Sequence, residues 1–185
     1  MPRIVDADAE RDAILERCLL PFAREGYGLV RMRDVAQAAG VSTGKLYHYF
    51  PDKRSIAVAL LERELASDVE ALGAALAGAR TGAKRRAAFL RFLEDRQDRL
   101  AATLLLALDH QRVEGAGAAA TVLRAYRDAL GALLGIDAEV VITMVLGVLA
   151  RRVLDPAGVD LERHWTAVEQ ELNPVQVDDA PMTAG

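Results

Sequence analysis

Apolar positions along this chain recur at three- and four-residue steps from about residue 6 to residue 172, the spacing of helices with one buried face, and do not alternate as strands do. Ile14, Cys18 and Phe22, joined by Leu15 and Leu19, form the first stripe, with Glu10, Arg17 and Arg24 on other faces. Gly26 ends that helix. Pro21 lies inside it, and a proline there removes a backbone hydrogen bond, so the pattern predicts a bend near Arg17. A short helix over 32–39 follows, with Val35 and Ala36 inward and Gly40 free to take the left-handed conformation that closes it. Ser42 caps a helix over 43–50 in which Leu46 and Phe50 share a face. Pro51 closes it, and Asp52 caps a long helix from Lys53 to about Ala77.

The remainder is helix punctuated by glycine. Thr81 and Gly82 break the chain before a stretch in which Phe89, Phe92, Leu93, Leu100 and Leu104 make a broad apolar face. The run GAGAAA, residues 115–120, reads either as a loop or as the start of a helix that includes Tyr126 and Leu130. Asp137 caps a helix to Asp155, Pro156 and Gly158 turn the chain, and Asp160 caps a last helix to Leu172. The pattern defines an all-α chain: a three-helix unit over 1–52, a helical bundle over 53–172, and a tail over 173–185 that lacks a core stripe and is expected to be mobile.

Composition narrows the class. A chain of 185 residues that is 52% hydrophobic and 27% charged buries a real core, which excludes disorder throughout. The longest apolar run, VVITMVLGVLA over 140–150, is well short of the roughly 18 residues of a membrane span, so it reads as a buried helix and no membrane partner is expected. The single cysteine, Cys18, makes no internal disulfide, and no basic, apolar leader opens the sequence; a reducing cytoplasm is the expected location. The net charge of −4 is unevenly placed: residues 31–54 hold five basic and two acidic side chains, whereas residues from 61 onward hold 14 basic and 19 acidic ones. A basic surplus on one segment is what phosphate would select.

That segment has the outline of a helix-turn-helix, two short helices separated by a glycine-containing turn with a third helix before them. With Leu46 and Phe50 inward, Thr43, Lys45, Tyr47 and His48 project outward, and these types suit phosphate oxygens and base edges. The run GYGLVRMRDVAQAAGVSTGKLYHYFPDKRSI, residues 26–56, resembles the amino-terminal domain of the tetracycline-repressor (TetR) family of bacterial regulators in its Gly-Tyr exit, its D-[IV]-A…A-G-V-S core and its L-Y-x-[YH]-F-x-x-K ending, over about residues 6–65. The resemblance implies a dimeric transcriptional regulator, most often a repressor, whose recognition helices enter successive major grooves of double-stranded operator DNA. Its carboxyl-terminal helices, here 53–172, bind a small-molecule effector and form the homodimer. Carried over by position, it implies DNA contacts from Arg33, Ser42, Thr43, Gly44, Lys45, Tyr47, His48 and Lys53, with Gly44 for close backbone approach and Tyr47 and Lys53 for phosphate. Val30 and Arg31 stand where the family usually has Thr or Ser, so the capping hydroxyl of the second helix is missing, and Pro21 also departs from the family pattern.

Other residues carry weaker signals. Phe89, Phe92, Leu93 and Tyr126 suggest a pocket for a largely hydrophobic compound; Asp109 with His110 lies either at its mouth or on the polar surface. Val141, Met144, Val145, Val148 and Trp165 are expected at the dimer interface, where two helices per chain form a four-helix bundle. Glu94, Asp95, Arg96, Asp98 and Arg99 read as an exposed ion-paired helix face rather than an acid–base or metal cluster, and Tyr49 as packing against the first or fourth helix rather than on DNA. No nucleophile–base pair, metal spacing or phosphate loop is present, so no catalytic residue, metal or cofactor is expected. Two alternatives stay open: a regulator without a ligand, and an all-helical carrier or enzyme.

Overall fold

The computed structural model describes residues 7–115, 117–135 and 137–155, together with Arg163 and Thr166, both helical. The expected helix over 160–172 otherwise lies outside the described residues, as do Trp165 and the tail over 173–185. The described residues form seven helices and no strand: α1 Ala7–Glu25, α2 Met32–Ala39, α3 Thr43–Tyr49, α4 Lys53–Leu76, α5 Gly82–Glu114, α6 Ala118–Leu134 and α7 Ala138–Leu154.

Local chemistry sets most of the boundaries. α1 continues through Pro21 to Glu25. No side-chain hydroxyl caps the start of α2, but the Asp34 carboxylate accepts the Arg31 N–H at 2.9 Å, the acidic half of a capping box. Gly40, at φ 70°, turns the chain out of α2 in the left-handed region. The Ser42 hydroxyl accepts the Lys45 N–H at 3.1 Å, and Asp52 accepts the Ser55 N–H at 2.7 Å, so both expected caps are present. Thr81 and Asp137 cap α5 and α7. The GAGAAA run divides, with Ala118 opening α6. Gly131 lets α6 and α7 meet: a Cβ there would lie 2.7 Å from Ala138 Cβ, closer than carbon atoms approach.

Two apolar cores follow. The first joins Leu15, Phe22, Tyr27, Leu46 and Phe50 to Ile56, Leu60 and Leu61 of α4, and to Leu106 of α5. The second joins Leu72 and Leu76 to Phe89, Phe92 and Leu93 of α5, Leu130 of α6, and Val141 and Leu149 of α7. α4 therefore belongs to both, its first half to one and its second half to the other. Polar ties fix α1 on its neighbours: the Arg17 guanidinium donates to the Ala39 carbonyl at 2.9 Å, and Arg11 lies over the Phe50 ring at 5.0 Å.

Candidate nucleic-acid interface and bundle cavity

On α3, Leu46 and the adjoining Phe50 are buried, which leaves Thr43, Gly44, Lys45, Tyr47 and His48 exposed on one short helix. Arg33 of α2 is exposed beside them and pairs with its neighbour Asp34 at 3.4 Å. The Ser42 hydroxyl is engaged as the α3 cap. Gly44 has open space where a Cβ would stand, with nothing within 4 Å, so the fold itself does not require glycine there.

The two lysines of this region differ from their neighbours. Lys45 pairs with Glu10 of α1, whose carboxylate also accepts the Tyr49 hydroxyl at 2.6 Å. The hydrogen bond from Lys45, and after it that from Tyr49, holds the Glu10 carboxyl below the usual carboxylate range. Tyr49 thus packs against the first helix, as its place beside Phe50 suggested. Lys53 corrects a sequence expectation. Its ammonium is not extended toward a phosphate but donates to the carbonyls of Tyr27 at 2.5 Å and Val30 at 3.0 Å, 4.5 Å from the Tyr27 ring centroid. The turn between α1 and α2 leaves these carbonyls without helical donors, and the first residue of α4 supplies one.

Asp109 and His110 also fall elsewhere than expected, neither at a pocket mouth nor on a free polar surface. Asp109 accepts from the Gly28 N–H at 3.2 Å and from Arg112 at 2.6 Å, and the Arg112 hydrogen bond leads in holding its carboxyl below its ordinary range. His110 is 1% exposed, its ring centroid 5.0 Å from that of Tyr27, and neither ring nitrogen makes a hydrogen bond. Burial pushes its pKa down. The Tyr27 hydroxyl donates to Glu114 at 2.7 Å. The end of α5 is thereby joined to the turn that leads into α2.

A cavity lies between α4, α5, α6 and α7, with about 760 Å³ of empty space including its mouth. Of the residues expected to line it, Phe92, Leu93 and Tyr126 do; Phe89 is buried in the second core instead. Among the described residues, the polar side chains on its wall are Asp68, Thr103 and Tyr126. Asp68, 3% exposed, accepts from Arg96 Nε at 2.6 Å and from the Tyr126 hydroxyl at 2.7 Å. Its pKa is raised, because burial outweighs those two hydrogen bonds. Glu64, fully buried, accepts from both Arg99 and Arg63. Arg96 and Arg99 are therefore only half-exposed and pair with buried carboxylates of α4, so their helix face is not the solvated one the alternating charges implied. A signal for Glu64 and Asp68 existed: with Leu61 and Leu72 they form one strip of α4 at three- and four-residue steps, two acids interrupting an apolar stripe.

The expected dimer residues divide as well. Val141 and Val145 are buried inside the chain, and Val145 lines the cavity, because α7 closes the bundle over α5 and α6. They are not free for a second copy. Met144 and Val148 are half-buried, and the exposed side of α7 presents Val140, Gly147 and Leu154. Among the described residues, no group of three or more His, Cys, Asp or Glu side chains could hold a metal ion, and no single helix is long and apolar enough to cross a membrane.

A three-helix head with an exposed polar recognition helix, set on a helical bundle with an internal apolar cavity, defines a helix-turn-helix protein with an appended helical domain. Residues 14–60 match the model of the bacterial regulatory proteins of the tetR family. Over those residues the chain carries an amino-terminal domain of the tetR type. It is 44% identical over 69 residues to the HTH-type transcriptional repressor KstR of Mycolicibacterium smegmatis, a match covering 37% of this chain and about a third, 34%, of that repressor. Over the whole fold it is similar to the crystal structure of the TetR transcription regulatory protein from Mycobacterium vanbaalenii, with 29% identity, 80% of this chain and 94% of that chain covered, and a TM-score of 0.61. The transcriptional regulator FadR from Bacillus subtilis, solved in complex with stearoyl-CoA, shares the fold at 19% identity, with 89% and 98% covered and a TM-score of 0.64.

Proposed function

We infer that the chain is a transcriptional repressor that binds a pseudo-palindromic operator as a homodimer in the cytoplasm and is released when a small, largely apolar molecule enters the α4–α7 cavity. The observation that carries the DNA reading is α3 itself: its apolar residues are buried while Thr43, Gly44, Tyr47 and His48 stand free on one exposed surface. Each protomer supplies one such helix, so a two-fold dimer asks for two half-sites about one duplex turn, 34–36 Å, apart. Arg33 flanks that surface and suits a phosphate. The exposed side of α7, with Val140, Gly147 and Leu154, supports pairing with a second copy. The cavity favours an effector-released regulator over one without a ligand, and the Bacillus subtilis neighbour, solved in complex with stearoyl-CoA, supports an effector with a long apolar part.

Retardation of the DNA upstream of the protein's own gene, at several salt concentrations, tests the reading. Binding that weakens steeply with salt and footprints as two symmetric half-sites is expected. Failure to retard that DNA at low salt, or a single asymmetric half-site, contradicts it.

A further inference from the structure

We propose that the cavity selects a neutral, mostly apolar molecule carrying a hydroxyl, held by donation of that hydroxyl's proton to Tyr126 Oη, and that it rejects carboxylates and cations of the same size. This rests on the effector reading above and names the class of molecule.

The polar atoms on the wall are already committed. Asp68 takes Arg96 on one oxygen and the Tyr126 hydroxyl proton on the other. The Thr103 hydroxyl donates to the Arg99 carbonyl at 2.9 Å. Because the Tyr126 proton points at Asp68, its oxygen has lone pairs left but no proton to give. The site therefore offers an acceptor, and a ligand must bring the donor. Burial, followed by the neighbouring Asp68 charge, raises the Tyr126 pKa far above the ordinary phenol, so the hydroxyl stays neutral.

Charge on the ligand meets opposition from two sides. A carboxylate would face Asp68 and Tyr126 Oη, acceptor against acceptor. Arg96 offers no escape, since its guanidinium is held by Asp68 and by the Ser67 hydroxyl at 2.9 Å and does not line the cavity. A cation would find Asp68 already neutralised in place by Arg96, leaving no net charge to offset the loss of its hydration among Leu72, Leu100, Leu130 and Leu146. An alcohol faces neither cost. Its chain replaces water against an apolar wall, and its one polar group makes the hydrogen bond that the wall leaves open.

The test compares 1-decanol, 1-chlorodecane, decanoate and decyltrimethylammonium, each below its micelle concentration, on the full chain by thermal shift and calorimetry. Decanol is expected to raise the melting temperature and to bind at least about tenfold more tightly than either ion. It should also exceed chlorodecane by about threefold to tenfold, the difference made by one hydrogen bond. Tyr126→Phe combined with Asp68→Leu, which removes both the hydroxyl and the carboxylate it donates to, should abolish the preference for decanol over chlorodecane while both still bind. Leu104→Trp, which narrows the cavity, should weaken both and leave the fold intact by circular dichroism. Decanoate or the ammonium binding as tightly as decanol overturns the inference, as does an alcohol preference that survives in the double variant. Binding of none of the four also overturns it. Because these measurements contain no DNA, their failure is separate from failure of the operator experiment, which tests the regulator reading.

Discussion

The helix-turn-helix head and the α4–α7 bundle turn their polar side chains in opposite directions. On α3, Thr43, Tyr47 and His48 face solvent above buried Leu46 and Phe50; on α4, Glu64 and Asp68 are as buried as the leucines beside them, each held by an arginine of α5. An outward polar group costs the fold little and stays available to a partner. An inward one persists only when its hydrogen bonds are complete, so it acts first on stability, and ligand binding is left to the apolar space around it. The same kind of substitution should therefore be read out as lost binding in the head and as lost stability in the bundle.

The largest effect is expected from Glu64→Ala. It removes the partner of Arg99, whose half-exposed guanidinium makes two hydrogen bonds to that carboxylate, and should lower stability by about 2–3 kcal/mol in urea denaturation. Replacing both residues, Glu64→Leu with Arg99→Leu, should recover much of the loss, because an apolar pair of similar volume needs no partner. A single-variant loss below about 1 kcal/mol would mean that the buried pair is no more than a surface ion pair and would erase the contrast.

In the head the corresponding change should leave denaturation curves where they are. His48→Ala should weaken operator binding by about 1–3 kcal/mol and relax preference at one position of each half-site, whereas Tyr47→Phe should weaken all sequences alike. Gly44→Leu sharpens the point: the space beside Gly44 is open in the free protein, so the variant should fold normally and lose DNA only if the α3 backbone approaches it closely. Site selection with each variant decides. Unchanged preference in His48→Ala would remove it from the base-reading residues.

The head was legible because its signals are local. Gly40, Ser42, Asp52 and the Leu46–Phe50 pair act within a turn of themselves, and each boundary they imply is within a residue of the one observed. What depended on distant partners was not. The Lys53 ammonium ends on a carbonyl 26 residues away and Asp109 on an N–H 81 residues away, and nothing in their own neighbourhood names those partners. Val141 and Val145 failed for another reason: an apolar face announces that it will be covered but not by what, and here the cover is the chain's own bundle. Glu64 and Asp68 were legible in principle, as acids on an apolar strip, yet the alternating charges of α5 read as solvated because a helix's own sequence does not name the helix it faces.

A smaller effect tests the joint between the two regions. The unfolded chain protonates His110 near pH 6.5, while the buried ring, with its lowered pKa, refuses the proton until the pH is lower. Stability should therefore fall as pH drops below about 6.5 and stop falling from this source once the folded pKa is passed. Asp109, whose carboxyl is held low, also loses its contribution in acid, but only around and below the ordinary carboxylate range, so the two windows separate. His110→Phe should flatten the upper window and leave the lower one. An unchanged slope between pH 6.5 and 5 would show that the ring takes its proton without cost.

Glu10→Gln, like the other head variants, is expected to leave stability almost unchanged, and it returns to the contrast from the side of the head. Glu10 is the one place where α3 has its polar groups tied down as the bundle does, through Lys45 and Tyr49, but there the pair is exposed rather than buried. An exposed pair holds its partners weakly, so Glu10→Gln should leave the melting temperature nearly unchanged. DNA binding should respond more. The substitution removes a negative charge beside the candidate phosphate face and frees Lys45, so affinity should rise and the dependence on salt should steepen by about one unit. Lys45→Ala in the Glu10→Gln background should reverse both changes. If Glu10→Gln instead weakens DNA binding, the carboxylate is positioning α3 through Tyr49, and the head, like the bundle, depends on a polar network of its own.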